Sequence, residues 1–173
     1  MKRVQFIASR DGLGHLVRCA ALADELKKRG WVENGEPDVI VVDDPLVQVE
    51  TTGKVVRIID VPTSDPADLY IQGRDLVREE FRMSPWRGGT QILNVMNVKD
   101  MSAQELARAL STAYAVVTYG GMRAMEAACV GVPLVMIPRN EGERRNVEYI
   151  SGGGRIDGFG CQRAADAIEE LVK

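Results

Sequence analysis

The sequence predicts an α/β protein built from two small parallel-sheet lobes, and three observations carry that prediction. Short apolar runs alternate with segments of helical periodicity, which is the rhythm of β-α-β units. Each half carries one strand-to-helix junction rich in glycine, Gly12-Leu13-Gly14-His15 in the first and Tyr119-Gly120-Gly121 in the second. Between the halves, Met83-Ser84-Pro85-Trp86-Arg87-Gly88-Gly89 has the Pro and paired Gly of a connecting segment. The expected division is an N-terminal lobe over 1–83, a linker over 84–90 and a C-terminal lobe over 91–173.

The first strand is expected over Val4 to Ala8, followed by the Gly12/Gly14 turn and a helix with Leu16, Cys19, Ala23 and Leu26 on its apolar face. Lys27, Lys28 and Arg29 suit the last turn of that helix, and Gly30 suits its left-handed stop. Val39 to Val42 and Val55 to Val61 read as buried strands, the second entering a turn from Pro62 to Pro66. Leu69 to Ile71 is a further short strand, and the charged segment Gly73 to Arg82 has no legible pattern.

In the second half, Gln91 to Val95 is a strand, and Ser102 with Glu105 has the spacing of a capping box. The helix it opens should bury Leu106, Ala109, Leu110 and Ala113. Val116 to Thr118 is a strand, Met122 to Val130 a helix stopped by Gly131, and Pro133 to Ile137 a strand. Helices from Arg144 to Ile150 and from Arg163 to Val172 are expected to close the chain.

Composition narrows the function. A chain of 173 residues with 45% hydrophobic content can bury a core, and a net charge of −3 gives a nucleic acid no broad basic field. The apolar stretch from Ala127 to Ile137 is broken by Gly131 and Pro133 and is shorter than the roughly 20 residues of a membrane helix, so no span and a cytoplasmic location are expected. Cys19, Cys129 and Cys161 are odd in number and widely spaced, and His15 is the sole histidine. They read as reduced, buried thiols, with no metal site and no cofactor.

The chemistry concentrates at the glycine turns. Glycine lets backbone N–H groups approach a ligand, and a following helix N-terminus favours negative charge. His15 sits at such a junction and has the proton affinity of a general base, although a backbone-driven turn carrying a solvent-facing His is the plain alternative. Val17 stands where a dinucleotide fingerprint needs its third glycine, which argues against an NAD enzyme. Gly120 and Gly121, with Met122 opening the helix, form the better diphosphate cradle. Glu126, one turn on, is either a ribose hydroxyl acceptor or a solvated helix glutamate.

Other candidates have plain readings beside the functional ones. Asp43 and Asp44 are an acid or a sugar acceptor, or merely the turn of Asp-Asp-Pro. Arg18 is a phosphate contact or a residue on the solvent face of its helix. Arg139 and Asn140 follow a strand, where α/β ligands bind, whereas Arg144 and Arg145 read as surface charge. No Walker A, H-E-x-x-H or G-x-S-x-G motif is present.

Gly120-Gly121, Glu126 and Gly131-Val132-Pro133 together resemble the nucleotide-binding half of GT-B glycosyltransferases. Gly12-Leu13-Gly14-His15-Leu16-Val17-Arg18-Cys19 resembles the G-x-G-H-x-x-R-C opening of UDP-sugar hydrolases of the pseudaminic acid pathway and of the related spore-coat polysaccharide biosynthesis proteins. Arg78-Glu79-Glu80-Phe81 is similar to a segment closing the first half of that group. The resemblance implies two shortened Rossmann-like lobes of GT-B type facing each other across a cleft. It also implies His15 as base, and Gly120, Gly121 and Glu126 as the UDP site.

By that resemblance Gly12, Gly14, Arg18, Asp44, Met122, Arg139 and Asn140 join the substrate-binding set. The implied activity is hydrolysis of a UDP-sugar to UDP and free sugar, without a metal. A small glycosyltransferase using a UDP-sugar donor and a non-catalytic nucleotide-sugar-binding subunit are the alternatives. Two departures stand out. Gly142 and Glu143 occupy the positions of an Asn-Gln pair that contacts the donor in the group, and the chain is shorter than its members. Minimal lobes imply a homodimer or a partner subunit.

Overall fold

The computed structural model of the protein describes residues 1–10, 13–60, 63–96 and 100–173. It is α/β with two small parallel sheets, and the chain divides into unit 1, Met1–Leu76 with Gly160–Lys173, and unit 2, Val77–Phe159.

Unit 1 contains strand β1 (Val4–Ala8), helix α1 (Leu13–Lys28), and strands β2 (Val39–Asp43), β3 (Lys54–Ile59) and β4 (Leu69–Gln72). The strands lie side by side in chain order, all parallel, with Ala8 beside Asp43 and Ile59 beside Gln72. Side chains alternate across a sheet, so Val39, Val41, Val56, Ile58 and Ile71 share one face and enter one core with Leu22 and Leu26 of α1. Ile40 and Val42 are buried on the other face, beside Arg57, whose Nη2 donates to the Val47 carbonyl at 2.9 Å.

The last helix of the chain, labelled α6 below (Gly160–Leu171), returns to unit 1. Its Cys161, Ala164, Ala165 and Ile168 form a stripe at helical spacing and pack into that core. Arg29 reaches Asp166 and Glu169, at 2.5 and 3.2 Å. The expected C-terminal lobe over 91–173 is corrected accordingly, because an apolar stripe does not say which sheet it will cover.

Unit 2 contains α2 (Glu79–Arg82), β5 (Ile92–Asn94), α3 (Ala103–Ser111), β6 (Ala115–Thr118), α4 (Met122–Val130), β7 (Leu134–Met136) and α5 (Glu141–Ser151). Its sheet runs β5-β6-β7, all parallel. Leu93, Val116, Leu134 and Met136 face the core made by α3 and α4, while Ile92 and Val135 on the opposite face are exposed. Ser102 and Glu105 form the expected capping box, and Ala107 rather than Ala109 completes the buried face of α3.

The expected linker is bound into unit 2. Trp86 Nε1 donates to the Ala113 carbonyl at 2.8 Å, Arg87 N–H to that of Ser111 at 2.8 Å, and Gly89 lies against Thr112, where a Cβ would stand 1.8 Å from the carbonyl oxygen. Pro and Gly here shape a close contact and not a joint. The charged segment without a legible pattern contains a 3-10 turn at Gly73–Asp75 and then α2, whose Phe81 is fully buried. Val61 and Pro62, at the end of the third expected strand and its turn, lie outside the described residues. Among the described residues no helix is long and apolar enough to cross a membrane.

Candidate functional site

The carboxyl ends of the parallel strands in unit 1 gather charged side chains, as α/β sheets do where they bind ligands. Because β1 and β2 are neighbours in register, the first turn of α1, leaving β1, meets the last residue of β2. His15 Nδ1 therefore lies 2.8 Å from Asp43 Oδ1. Asp43 accepts from Arg18 as well, Nε to Oδ2 at 2.5 Å and Nη2 to Oδ1 at 2.5 Å, a two-pronged pair that fits the planar guanidinium. Arg18 Nη1 then donates to Asp60 Oδ1 at 2.6 Å, just past the end of β3.

Asp43 is buried, and an ionised carboxylate there is sustained by these donors. Burial pushes its pKa up, but the hydrogen bonds from Arg18 and His15 outweigh it and hold the carboxyl below its ordinary range. The hydrogen bond to Asp43 raises the His15 pKa, against the opposing effect of burial. An ionised Asp43 favours the proton on Nδ1, the nitrogen that also lies 3.1 Å from Arg18 Nη2. Nε2 has no hydrogen-bond partner among the described residues, and the side chain keeps 26% of its exposure. This is the arrangement in which a carboxylate orients an imidazole for proton transfer.

The other first-half candidates fall differently. Arg18 is buried and fully engaged with carboxylates, so the solvent-face reading is corrected. Its position follows from Arg18, Leu22 and Leu26 falling at intervals of four on the buried stripe of α1, while Leu16, expected in that stripe, is exposed. Asp44 forms the turn: its Oδ1 accepts from Leu46 N–H at 2.9 Å. Gly14 is the second residue of α1, and Gly12 lies outside the described residues. Cys19 is buried with its Sγ 3.7 Å from Asp43 Oδ2, and burial beside that carboxylate pushes its thiol up to about 12. Cys129 is only partly buried, at about 11, and Cys161 is buried, at about 12, so the three are protonated, weakly reactive thiols.

In unit 2 the glycine turn has its own occupant. Gly121 is the N-cap of α4 and Met122 its first residue, with Met122 packed against the core. Gly120 is required: a Cβ there would stand 2.4 Å from the Glu143 carbonyl oxygen of α5. The Glu143 carboxylate lies at this corner, its Oε1 3.5 Å from where a Cβ on Gly121 would stand. Arg139 adds its N–H at 2.7 Å to Oε2 and its Nη2 at 2.6 Å to Oε1. Burial works to raise the Glu143 pKa, and the bonds from Arg139 bring it below the ordinary range.

Arg139 also stacks on Tyr119, 4.0 Å from the ring centroid. Asn140 caps α5, accepting from Glu143 N–H at 2.9 Å, and Asn146 Nδ2 donates to the Gly120 carbonyl at 3.0 Å. Glu126 is fully buried in α4, which corrects the reading of a solvated helix glutamate. Its Oε1 accepts from Arg78 at 2.9 Å and its Oε2 from Arg123 at 2.7 Å. Among the described residues no three His, Cys, Asp or Glu side chains gather to hold a metal ion.

Asp60 and Glu143 were missed as parts of these clusters. Asp60 directly follows β3, a position readable from the strand pattern, while Glu143 faces Gly120 only through the packing of α5. Fold and charge clusters together define an α/β protein with a carboxylate-oriented imidazole at the carboxyl edge of a parallel sheet. Comparison of the chain with protein-family models, with curated proteins and with solved structures finds no match.

Proposed function

We propose that this chain is a nucleotide-sugar enzyme, a UDP-sugar hydrolase, in which His15 is the general base. The observation that carries the proposal is the Asp43–His15 pair at the carboxyl ends of the strands, with no hydrogen-bond partner on Nε2 among the described residues. The G-x-G-H-x-x-R-C resemblance around it supplies the substrate class. Nε2 takes a proton from water as the water oxygen attacks the anomeric carbon, and the bond from that carbon to the diphosphate oxygen breaks. UDP leaves with the electron pair, and the imidazolium formed is stabilised by Asp43 until its proton passes to solvent.

A second reading has its own observation. The Glu143 carboxylate, held by Arg139, already lies against the Gly120-Gly121 corner, and both oxygens of Glu126 are on arginines. A glycine corner closed in this way serves as structure, and the chain would then be a subunit without turnover. The same base acting on an acceptor hydroxyl describes a glycosyltransferase.

Calorimetric titration with UDP and measurement of UDP release separate the readings. A hydrolase binds UDP, releases UDP and free sugar in water alone, and after His15→Ala keeps the binding while losing turnover. A transferase turns over only with an added acceptor. UDP binding without turnover under either condition supports the subunit, and no UDP binding by the wild type or by Glu143→Ala ends the nucleotide-sugar reading.

A further inference from the structure

An imidazole paired with a carboxylate has a difficulty as a base, because the pairing that orients the ring also stabilises its protonated form. At neutral pH a ring held too strongly as imidazolium accepts nothing. The cluster in unit 1 contains a third group placed to counter this. Arg18 Nη2 stands 2.5 Å from Asp43 Oδ1, the same oxygen that receives His15 Nδ1, and 3.1 Å from Nδ1 itself. Two N–H donors thus share one carboxylate oxygen, and a fixed positive charge lies beside the ring.

That charge has no freedom to leave. Nε and Nη2 are held by Asp43 and Nη1 by Asp60, so the guanidinium is fastened on both sides. The place for it exists because Gly73 follows β4 directly: a Cβ there would stand 2.2 Å from Arg18 Nη1 and 2.8 Å from Asp60 Oδ1. The charges acting on the ring come from three elements, Arg18 from α1, Asp43 from β2 and Asp60 from the residue after β3. Asp43 and Asp60 favour the imidazolium, and Arg18 opposes it.

We propose that Arg18 and Asp60 are positioning residues for His15: Asp60 fastens the guanidinium, and the clamped guanidinium fixes the Asp43 carboxylate that holds His15 Nδ1. This inference rests on the reading of His15 as base, but its physical content is separate and needs no substrate to examine. Arg18 lies one turn after His15 on the same side of α1, so the helix itself holds the two at this distance. Lysine would keep the charge and lose the fork that grips both oxygens of Asp43.

His15 is the only histidine in the chain, so ring-nitrogen NMR of the whole protein gives one imidazole to follow. Titration of the wild type, Arg18→Gln, Arg18→Lys and Asp60→Asn is the test. The wild type should show the Nδ1–H tautomer when neutral. Arg18→Gln should move the His15 midpoint up by about one pH unit, a tenfold gain in proton affinity. Asp60→Asn should move it down, and Arg18→Lys should fall between wild type and Arg18→Gln.

Asp60 keeps 31% side-chain exposure, so its variant leaves the buried Arg18–Asp43 pair intact and tests the idea even if Arg18→Gln does not fold. An unchanged midpoint in Asp60→Asn together with an unchanged or lower one in any folded Arg18 variant overturns the proposal, as does an Nε2–H tautomer in the wild type. If these shifts fail while His15→Ala still abolishes UDP release, the base stands and its positioning by Arg18 falls. If they appear while no UDP-sugar is hydrolysed, the positioning stands and the hydrolase reading falls.

Discussion

The two strand-to-helix junctions that read alike in the sequence hold their nearest carboxylates differently. In unit 1 the carboxylate at the end of β2, Asp43, is engaged by Arg18 and His15 of α1, and His15 Nε2 has no hydrogen-bond partner among the described residues. In unit 2 a strand leads through Gly120 and Gly121 into α4, and a carboxylate from the next helix, Glu143, is held by Arg139 against the corner, its Oε1 3.5 Å from where a Cβ on Gly121 would stand. A glycine-rich turn therefore offers backbone donors without deciding who accepts from them. What decides is the next charged side chain packed against the corner.

The comparison breaks most readily at Asp43. Its replacement by Ala leaves Arg18 buried with Asp60 as its one carboxylate partner among the described residues, and removing one member of a buried ion pair costs about 3–5 kcal/mol. Urea unfolding should show that loss, whereas Glu143→Ala should cost only about 1 kcal/mol, because its partner Arg139 keeps 59% side-chain exposure. Equal losses at the two positions would erase the distinction between a buried cluster and a surface-anchored one.

Gly120 and Gly121 sharpen it further. A Cβ at Gly120 collides with the α5 backbone, and overpacking of this kind costs about 1–3 kcal/mol. At Gly121 the nearest atom is Glu143 Oε1 at 3.5 Å and φ is −86°, so Ala should change stability by under about 1 kcal/mol. Thermal unfolding of the two variants checks the order. Glu143→Ala should also give the corner a measurable calorimetric response to inorganic pyrophosphate that exceeds the wild-type response. A response no larger than the wild type's would mean that the carboxylate is not what closes it.

The smallest expected effect is in pH dependence, where His15 differs in sign from the carboxylates of both units. Asp43 and Glu143 both have depressed pKa values, so each adds stability above the ordinary carboxylate value that is lost as pH falls through the folded one. His15 has a raised pKa, so its contribution is full below the ordinary imidazole value and is lost as pH rises through the folded one. Denaturation midpoints against pH should decline at both ends for the wild type. In His15→Gln the decline near and above neutrality should be smaller, with the acid decline retained.

Much of this fold is legible in the sequence. The strand Val4–Ala8 and the helix Met122–Val130 coincide with their expected bounds, because a glycine or a charged flank marks each end. The capping box at Ser102 was legible for the same local reason. What stayed hidden depends on contacts distant in sequence. The stripe of α6 looks the same whichever sheet it covers, and Arg18 reads as a surface residue until its spacing with Leu22 and Leu26 is set beside two carboxylates at neighbouring strand ends. Glu126 sits in a run of buried positions, Ala124 to Ala127, and only the arginines at 78 and 123 make its burial affordable. At the site, His15 was legible as a candidate base, but its orientation by Asp43 was not.

The most direct measurement is a phosphorus NMR time course of a UDP-N-acetyl amino sugar incubated in water with the wild type and with His15→Ala at neutral pH. The account predicts that free UDP accumulates with the wild type and stays at the uncatalysed level with the variant, both proteins being folded. Accumulation at the same rate in both would contradict the assignment of His15 as the base.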